Sequence, residues 1–270
     1  MSRKLPGFRL SLSVTLAYLG VLLLIPLGVC VVKAAQLGPS AFWDAVWTPR
    51  ARAAYMLTFG VSLVSATITS LFGLLIAWVL VRYEWPLKRV IDSLVDLPLA
   101  LPTAVAGLAY SALYVGNGWF GRFLVPLGIH GTYSVLGIVL VLTFIGIPFA
   151  VRAVQPVLES LETDAEEAAL LLGANRFQTF WHVILPTIMP AIITGFALSF
   201  ARALGEYGSV VFVSSNIQGQ TEIAPMLIVS KLEQNSYAEA TAIAIVLLIM
   251  SFATLAVINL WERRSRRHYA

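Results

Sequence analysis

Few residues in this chain have both the type and the spacing for chemistry. Gly116-Asn117-Gly118-Trp119-Phe120-Gly121 spells the glycine fingerprint that brings backbone close to a dinucleotide pyrophosphate. That fingerprint needs a strand before it and a helix after it; here it follows a long apolar run, so it reads as a loop with an interfacial tryptophan. Lys4, Lys33, Lys88 and Lys231 are never followed by Ser or Thr. The phosphate-cradling Gly-Lys-Ser/Thr is therefore missing, and the chain is not expected to hydrolyse ATP. His130, His182 and His268 lie far apart with no ligand spacing, so no metal site is expected. No Gly-x-Ser-x-Gly nucleophile elbow is present, which disfavours an intramembrane hydrolase.

Two sets of charged residues remain. Arg202 and Glu206 stand one helical turn apart inside an apolar run. Each costs roughly 2.5–3.5 kcal/mol near a bilayer centre, so both must face protein or a water-filled cavity. The bland reading is a mutually neutralising strut between helices; the sharper one is that Arg202 helps an anion across while Glu206 orients it. Arg before Glu is the weaker order for such a pair, which leaves room for other partners. The second set is the acidic cluster Glu159, Glu162, Asp164, Glu166 and Glu167, which must sit in water or against protein.

The elements that hold these residues are membrane helices. The chain is 59% hydrophobic and 12% charged over 270 residues, against about a quarter charged in soluble domains. Six apolar stretches suffice to cross a bilayer: Ser11 to Val32, Ala54 to Val81, Leu97 to Val115, Tyr133 to Val151, Ile188 to Val213 and Ala240 to Trp261. The first is too long for the core of a secretory signal, which is about 7–15 residues, and reads as a retained span. The expectation is an all-α, polytopic membrane protein in a single domain, residues 1–270, with a cytoplasmic loop at 152–186.

Basic residues set the orientation. With both termini cytoplasmic, that side holds twelve of them: Arg3, Lys4, Arg9, Arg82, Lys88, Arg89, Arg152, Arg176, Arg263, Arg264, Arg266 and Arg267. The other side holds five: Lys33, Arg50, Arg52, Arg122 and Lys231. Twelve against five favours both ends inside. The net charge of +4 is spread over ends and loops, the pattern of a chain that meets lipid rather than nucleic acid.

The loop itself has internal order. Thr163-x-x-Glu166 is a capping box that opens a short helix, and Gly173 closes it in a left-handed turn. Asn175 then caps a second helix, with Phe177, Phe180, Trp181 and Ile184 forming one apolar stripe for docking and Pro186 ending it. Upstream, Pro98 and Pro102 remove backbone donors from the third span; a tolerated kink is preferred there to a break that opens amides or carbonyls to a path. Asp92 and Asp96 fall at the cytoplasmic mouth of that span and receive no transport role.

Glu167-Ala168-Ala169, three residues, Gly173, nine residues, then Val183-Ile184-Leu185-Pro186 resembles the EAA loop of permease subunits in bacterial ABC importers, with Val183 where isoleucine is usual. "DLPLALPTAVAGLAY" at Asp96 to Tyr110 and "RALGEYGS" at Arg202 to Ser209 resemble the sulfate and molybdate permeases. The first of these, with the six-span length, is most similar to the T-subunit permeases of sulfate/thiosulfate importers, and the similarity covers nearly the whole chain.

The resemblance implies a type I importer fold in a bacterial inner membrane. It implies a heterodimer with a second permease, two separate ATP-binding subunits that hold ATP and Mg, and an extracytoplasmic binding protein that delivers sulfate. Glu166, Glu167, Ala168, Ala169, Gly173, Val183, Leu185 and Pro186 would couple to the ATPase; Arg202, Glu206, Pro98 and Pro102 would lie along the path. Molybdate or tungstate import is the nearest alternative, and a passive anion channel a more distant one.

Overall fold

The computed structural model describes residues 7–161 and 164–269, with backbone alone for 261–269. Among these residues all regular structure is helical. Five helices are long and apolar enough to cross a membrane: α1 (Phe8–Ala35), α3 (Pro49–Arg82), α7 (Val135–Glu159), α9 (Arg176–Leu204) and the Tyr237–Leu260 part of α12 (Tyr237–Tyr269). Shorter helices connect them: α2 (Gly38–Val46), α4 (Lys88–Val95), α5 (Leu97–Ala100), α6 (Thr103–Tyr114), α8 (Asp164–Leu171), α10 (Val210–Val213) and α11 (Ala224–Glu233).

The third expected span is the one that is not continuous. Leu101 and Pro102 both take extended ψ, 134° and 132°, and separate α5 from α6. Proline disfavours helical backbone in the residue before it and has no N–H to continue the ladder. The break therefore replaces the preferred kink. The fifth span is interrupted as well, between Leu204 and Val210.

Pro186 does the opposite of what its position suggests. The helix does not end there; it runs through from Arg176 to Leu204. A π-helical turn at Phe180–Ile184, with the Leu185 N–H bonded to the Phe180 carbonyl, precedes the proline. Widening the ladder to i, i+5 makes room for a ring that would otherwise clash one turn back. The same device at Gly20–Leu24 carries α1 past Pro26. The fourth span also reaches further than expected, to Glu159, so Arg152 lies within α7 instead of opening the loop.

The centre of the molecule is α3, α7 and α9, with α12 against α9 and α1 outermost on α12. Small residues set the central spacing. A Cβ on Gly73 would lie 2.5 Å from Ala150 Cβ, and one on Gly195 3.0 Å from Ala150 Cα. Thr69 Oγ1 donates to the Thr143 carbonyl at 3.3 Å and Ser199 Oγ to the Gly146 carbonyl at 3.2 Å. Lipid supplies no hydrophobic drive between helices, so close backbone approach and such hydrogen bonds hold the bundle. On α1 only Ala34 is buried, which leaves most of that helix for lipid.

Candidate functional site

The acidic loop is built as two short helical segments around a fixed turn. Asp164, Glu166 and Glu167 occupy the first turn of α8, where carboxylates favour the positive end of the helix. Thr163, the expected cap, and Glu162 lie outside the described residues. Gly173 has φ +83°, its N–H bonds Leu170 O at 2.9 Å, and the Ala174 N–H bonds Ala169 O at 3.0 Å. These paired bonds around a left-handed residue end the helix without steric cost. Asn175 starts α9 through a full capping box: its Oδ1 accepts from the Gln178 N–H, and Gln178 Oε1 accepts from the Asn175 N–H, each at 2.9 Å.

The apolar stripe of the second segment divides. Phe180 packs edge-on against Trp78 at 5.5 Å, and Ile184 is buried. Phe177 and Trp181, expected on the same docked face, remain 71% and 49% exposed. The π-turn rotates successive side chains away from one line, so four residues no longer share a single face.

The loop residues named above fall into two groups. Glu167 and Ala168 are exposed at the surface, next to Leu171 and Leu172, each 89% exposed, while Ala169 is half-buried. Val183, Leu185 and Pro186 are half-buried where α9 enters the bundle. Glu166 turns inward and forms an ion pair with Arg82 at the end of α3, and the Arg82 guanidinium lies 5.2 Å over the Trp78 ring. The outward group is thus a small-residue and leucine surface with one free-facing carboxylate, and the inward group ties that surface to α3 and α9.

A second junction was not expected from the sequence. Arg152 reaches Asp96 Oδ1 through Nε at 2.9 Å and Asp96 Oδ2 through Nη2 at 2.6 Å. Its Nη1 bonds Asp92 Oδ1 at 2.6 Å, and its Nη2 also bonds the Asp92 carbonyl at 2.9 Å. One fork thereby joins the α4–α5 corner to α7, and hydrogen bonding from Arg152 holds the Asp96 carboxyl below the usual carboxylate range. Asp92 and Asp96, at i, i+4 and facing one span with a lone arginine, are the signal that points to it.

Within the membrane region, Arg202 Nη1 donates to Glu206 Oε2 at 2.5 Å. The other carboxylate oxygen accepts from the Ser209 N–H at 2.8 Å and from Ser209 Oγ at 2.9 Å. Glu206 is 2% exposed and lies just past the end of α9 rather than within a helix. Its turn sits directly on the other broken helix: a Cβ on Gly208 would fall 2.3 Å from Thr103 Oγ1, and one on Gly107 2.3 Å from the Ser209 carbonyl oxygen. The interruption at Pro102 and the turn at Glu206 therefore meet. Pro98 is buried in α5, which packs on α7, while Pro102 is exposed.

The glycines of the fingerprint have a local explanation. Cβ atoms on Gly118 and Gly121 would lie 2.4 Å and 1.9 Å from the carbonyl oxygens of Leu113 and Val115, so these glycines let the loop fold back on the end of α6. Among the described residues no three His, Cys, Asp or Glu side chains gather as metal ligands.

Known proteins resemble this chain in sequence and in fold. A family model described as "Binding-protein-dependent transport system inner membrane component" matches residues 69–267. The sulfate transport system permease protein CysT of Synechocystis sp. is 49% identical over 255 residues, 94% of this chain and 89% of that protein. The protein of the same name from Salmonella typhimurium is 45% identical, covering 98% of this chain and 96% of its own length. Among solved structures, a bacterial ABC transporter involved in alginate import superposes with TM-score 0.76 at 16% identity, over 96% of each chain. An inward-facing methionine ABC transporter gives TM-score 0.60 at 16% identity, over 78% of this chain and 94% of the other. The chain has the fold of an ABC importer permease, and it belongs to the family of binding-protein-dependent transport system inner membrane components.

Proposed function

We propose that this chain is one permease subunit of an ATP-driven importer that moves sulfate or thiosulfate across a bacterial inner membrane. The observation that carries the coupling part is the loop surface of Ala168, Leu171 and Leu172 beside Glu167, largely apolar and uncovered although it lies outside the spans. Such a surface calls for a protein partner. The partner is a separate ATPase that binds ATP and Mg; two copies serve a heterodimer of this chain with a second permease. An extracytoplasmic binding protein delivers the anion. The names of the relatives favour sulfate over molybdate or tungstate. ATP-driven closure of the ATPase pair pushes α8, and the Glu166–Arg82 pair passes that push to α3.

Both termini are placed in the cytoplasm, from the twelve-to-five distribution of basic residues. The positions of the ion pairs support it, since Arg82 and Arg152 share one end of the bundle with the loop. Arg50 and Lys231 line a different pocket, around Asp44 and Glu239. In intact cells, a membrane-impermeant thiol reagent is expected to label a cysteine placed at Asn117 and to leave one at Asn175 unmodified. The reverse pattern rejects the orientation, and with it the assignment of the loop to an intracellular ATPase.

A further inference from the structure

A cavity of about 360 Å³ lies between the end of α3 and the loop, walled by Trp78, Tyr83 and Phe180 and edged by Arg82, Arg176 and Glu166. Two guanidiniums face it against one carboxylate. Glu166 engages Arg82 through Nη2 only, and Arg82 Nε is buried with no hydrogen-bond partner among the described residues. Arg176 is exposed, and its side chain carries no hydrogen bond or ion pair among them.

From this arrangement we propose that the cavity is a binding site for a tetrahedral oxyanion, held between Arg82 and Arg176. A guanidinium presents paired N–H donors that match phosphate geometry, and Arg82 has a donor with nothing to bond. The surrounding chemistry favours an anion that carries an apolar body: Trp78 and Phe180 form one wall, and Arg82 is the last residue of α3, where the span leaves the hydrocarbon. Basic pockets beside spans at that depth suit the phosphate of an anionic lipid headgroup. A free phosphate offers the same oxygens. Either one competes with Glu166 for Arg82, so occupancy loosens α8 from α3. The site is separate from the outward loop surface and does not depend on the identity of the transported anion.

The test uses the purified full chain in native mass spectrometry, with phosphatidylglycerol, phosphatidylcholine and inorganic phosphate as probes. Phosphatidylglycerol is expected to be retained preferentially. Arg176→Gln, which breaks no side-chain hydrogen bond or ion pair among the described residues, weakens its retention about tenfold, the scale of one charge-assisted hydrogen bond. Glu166→Gln strengthens it, because the competing carboxylate is gone; a purely structural role for the loop does not predict that opposite sign. Displacement by inorganic phosphate identifies a free oxyanion as an occupant, and resistance to displacement identifies the lipid headgroup. Retention that is equal for the two lipids, or unchanged by both substitutions, overturns the site.

Discussion

Gly107→Ala is expected to uncouple the two interrupted helices and abolish transport while the chain still inserts in the membrane. A Cβ at this position would lie 2.3 Å from the Ser209 carbonyl oxygen, 2.6 Å from Ser209 Cα and 2.8 Å from its carbonyl carbon. All three are backbone atoms, so no rotamer change relieves the clash. Overpacking a tight interior contact costs about 1–3 kcal/mol or more, and here the relief must come from moving the Glu206 turn off α6. That movement pulls Ser209 away from Glu206 and disturbs the Arg202 pair. Gly60→Ala is a control of the same chemistry, because a Cβ there meets nothing within 4 Å. Membrane yield, thermal stability and sulfate uptake of the two variants separate a local effect on the joint from a general effect of removing glycine. Equal uptake by Gly107→Ala and Gly60→Ala would show that the joint tolerates displacement.

The second large effect concerns Glu206. The sequence frames Arg202 and Glu206 as a pair in which removing one member leaves a buried charge, at a cost of about 3–5 kcal/mol, and removing both restores balance. The structure changes the second half of that expectation. Glu206 also accepts from the Ser209 N–H and Oγ, so an apolar residue at 206 orphans a buried amide as well. Glu206→Leu is therefore strongly destabilising whether or not Arg202 is kept. Glu206→Gln keeps an acceptor for Ser209 and removes the charge. Combined with Arg202→Met it is expected to fold and assemble, which allows transport itself to be read. Normal sulfate uptake by the assembled Arg202→Met, Glu206→Gln variant assigns the pair to structure alone. Lost uptake with intact assembly assigns the Arg202–Glu206 pair to the path.

Much of this molecule is legible in its residues because lipid leaves few choices. Uncharged runs of about 20 residues become spans, since every backbone group must be bonded within the segment. The left-handed turn at Gly173 and the cap at Asn175 follow from short-range sterics and hydrogen bonding, and both are present. Prolines were harder to read, because the outcome depends on what the ladder can do around them. Pro102 breaks a helix, whereas Pro26 and Pro186 are each absorbed by a π-turn just before them, a choice that no local pattern distinguishes. Long-range pairs were hidden for a different reason. Arg152 with Asp92 and Asp96, and Arg82 with Glu166, are separated by 56 to 84 positions and become neighbours only when α3, α7 and the loop are packed. For Glu166 the sequence leaves water and protein equally open, and only its pairing with Arg82 shows that it faces inward.

In the proposed coupling the Gly173 turn presents α8 to an ATPase, and the Glu166–Arg82 pair carries its motion to α3. Gly173 holds φ +83° and a Cβ there would meet nothing within 4 Å, so Gly173→Val acts through backbone strain, roughly 1–2 kcal/mol, rather than through a Cβ clash. The decisive measurement is sulfate-stimulated ATP hydrolysis by the complete assembly, reconstituted with wild-type chain or with Gly173→Val. Wild type is expected to bind its ATPase and respond to sulfate delivered by the binding protein; Gly173→Val is expected to insert normally yet lose ATPase docking and stimulation. Unchanged docking and unchanged stimulation in Gly173→Val would show that this turn does not couple the ATPase to the spans.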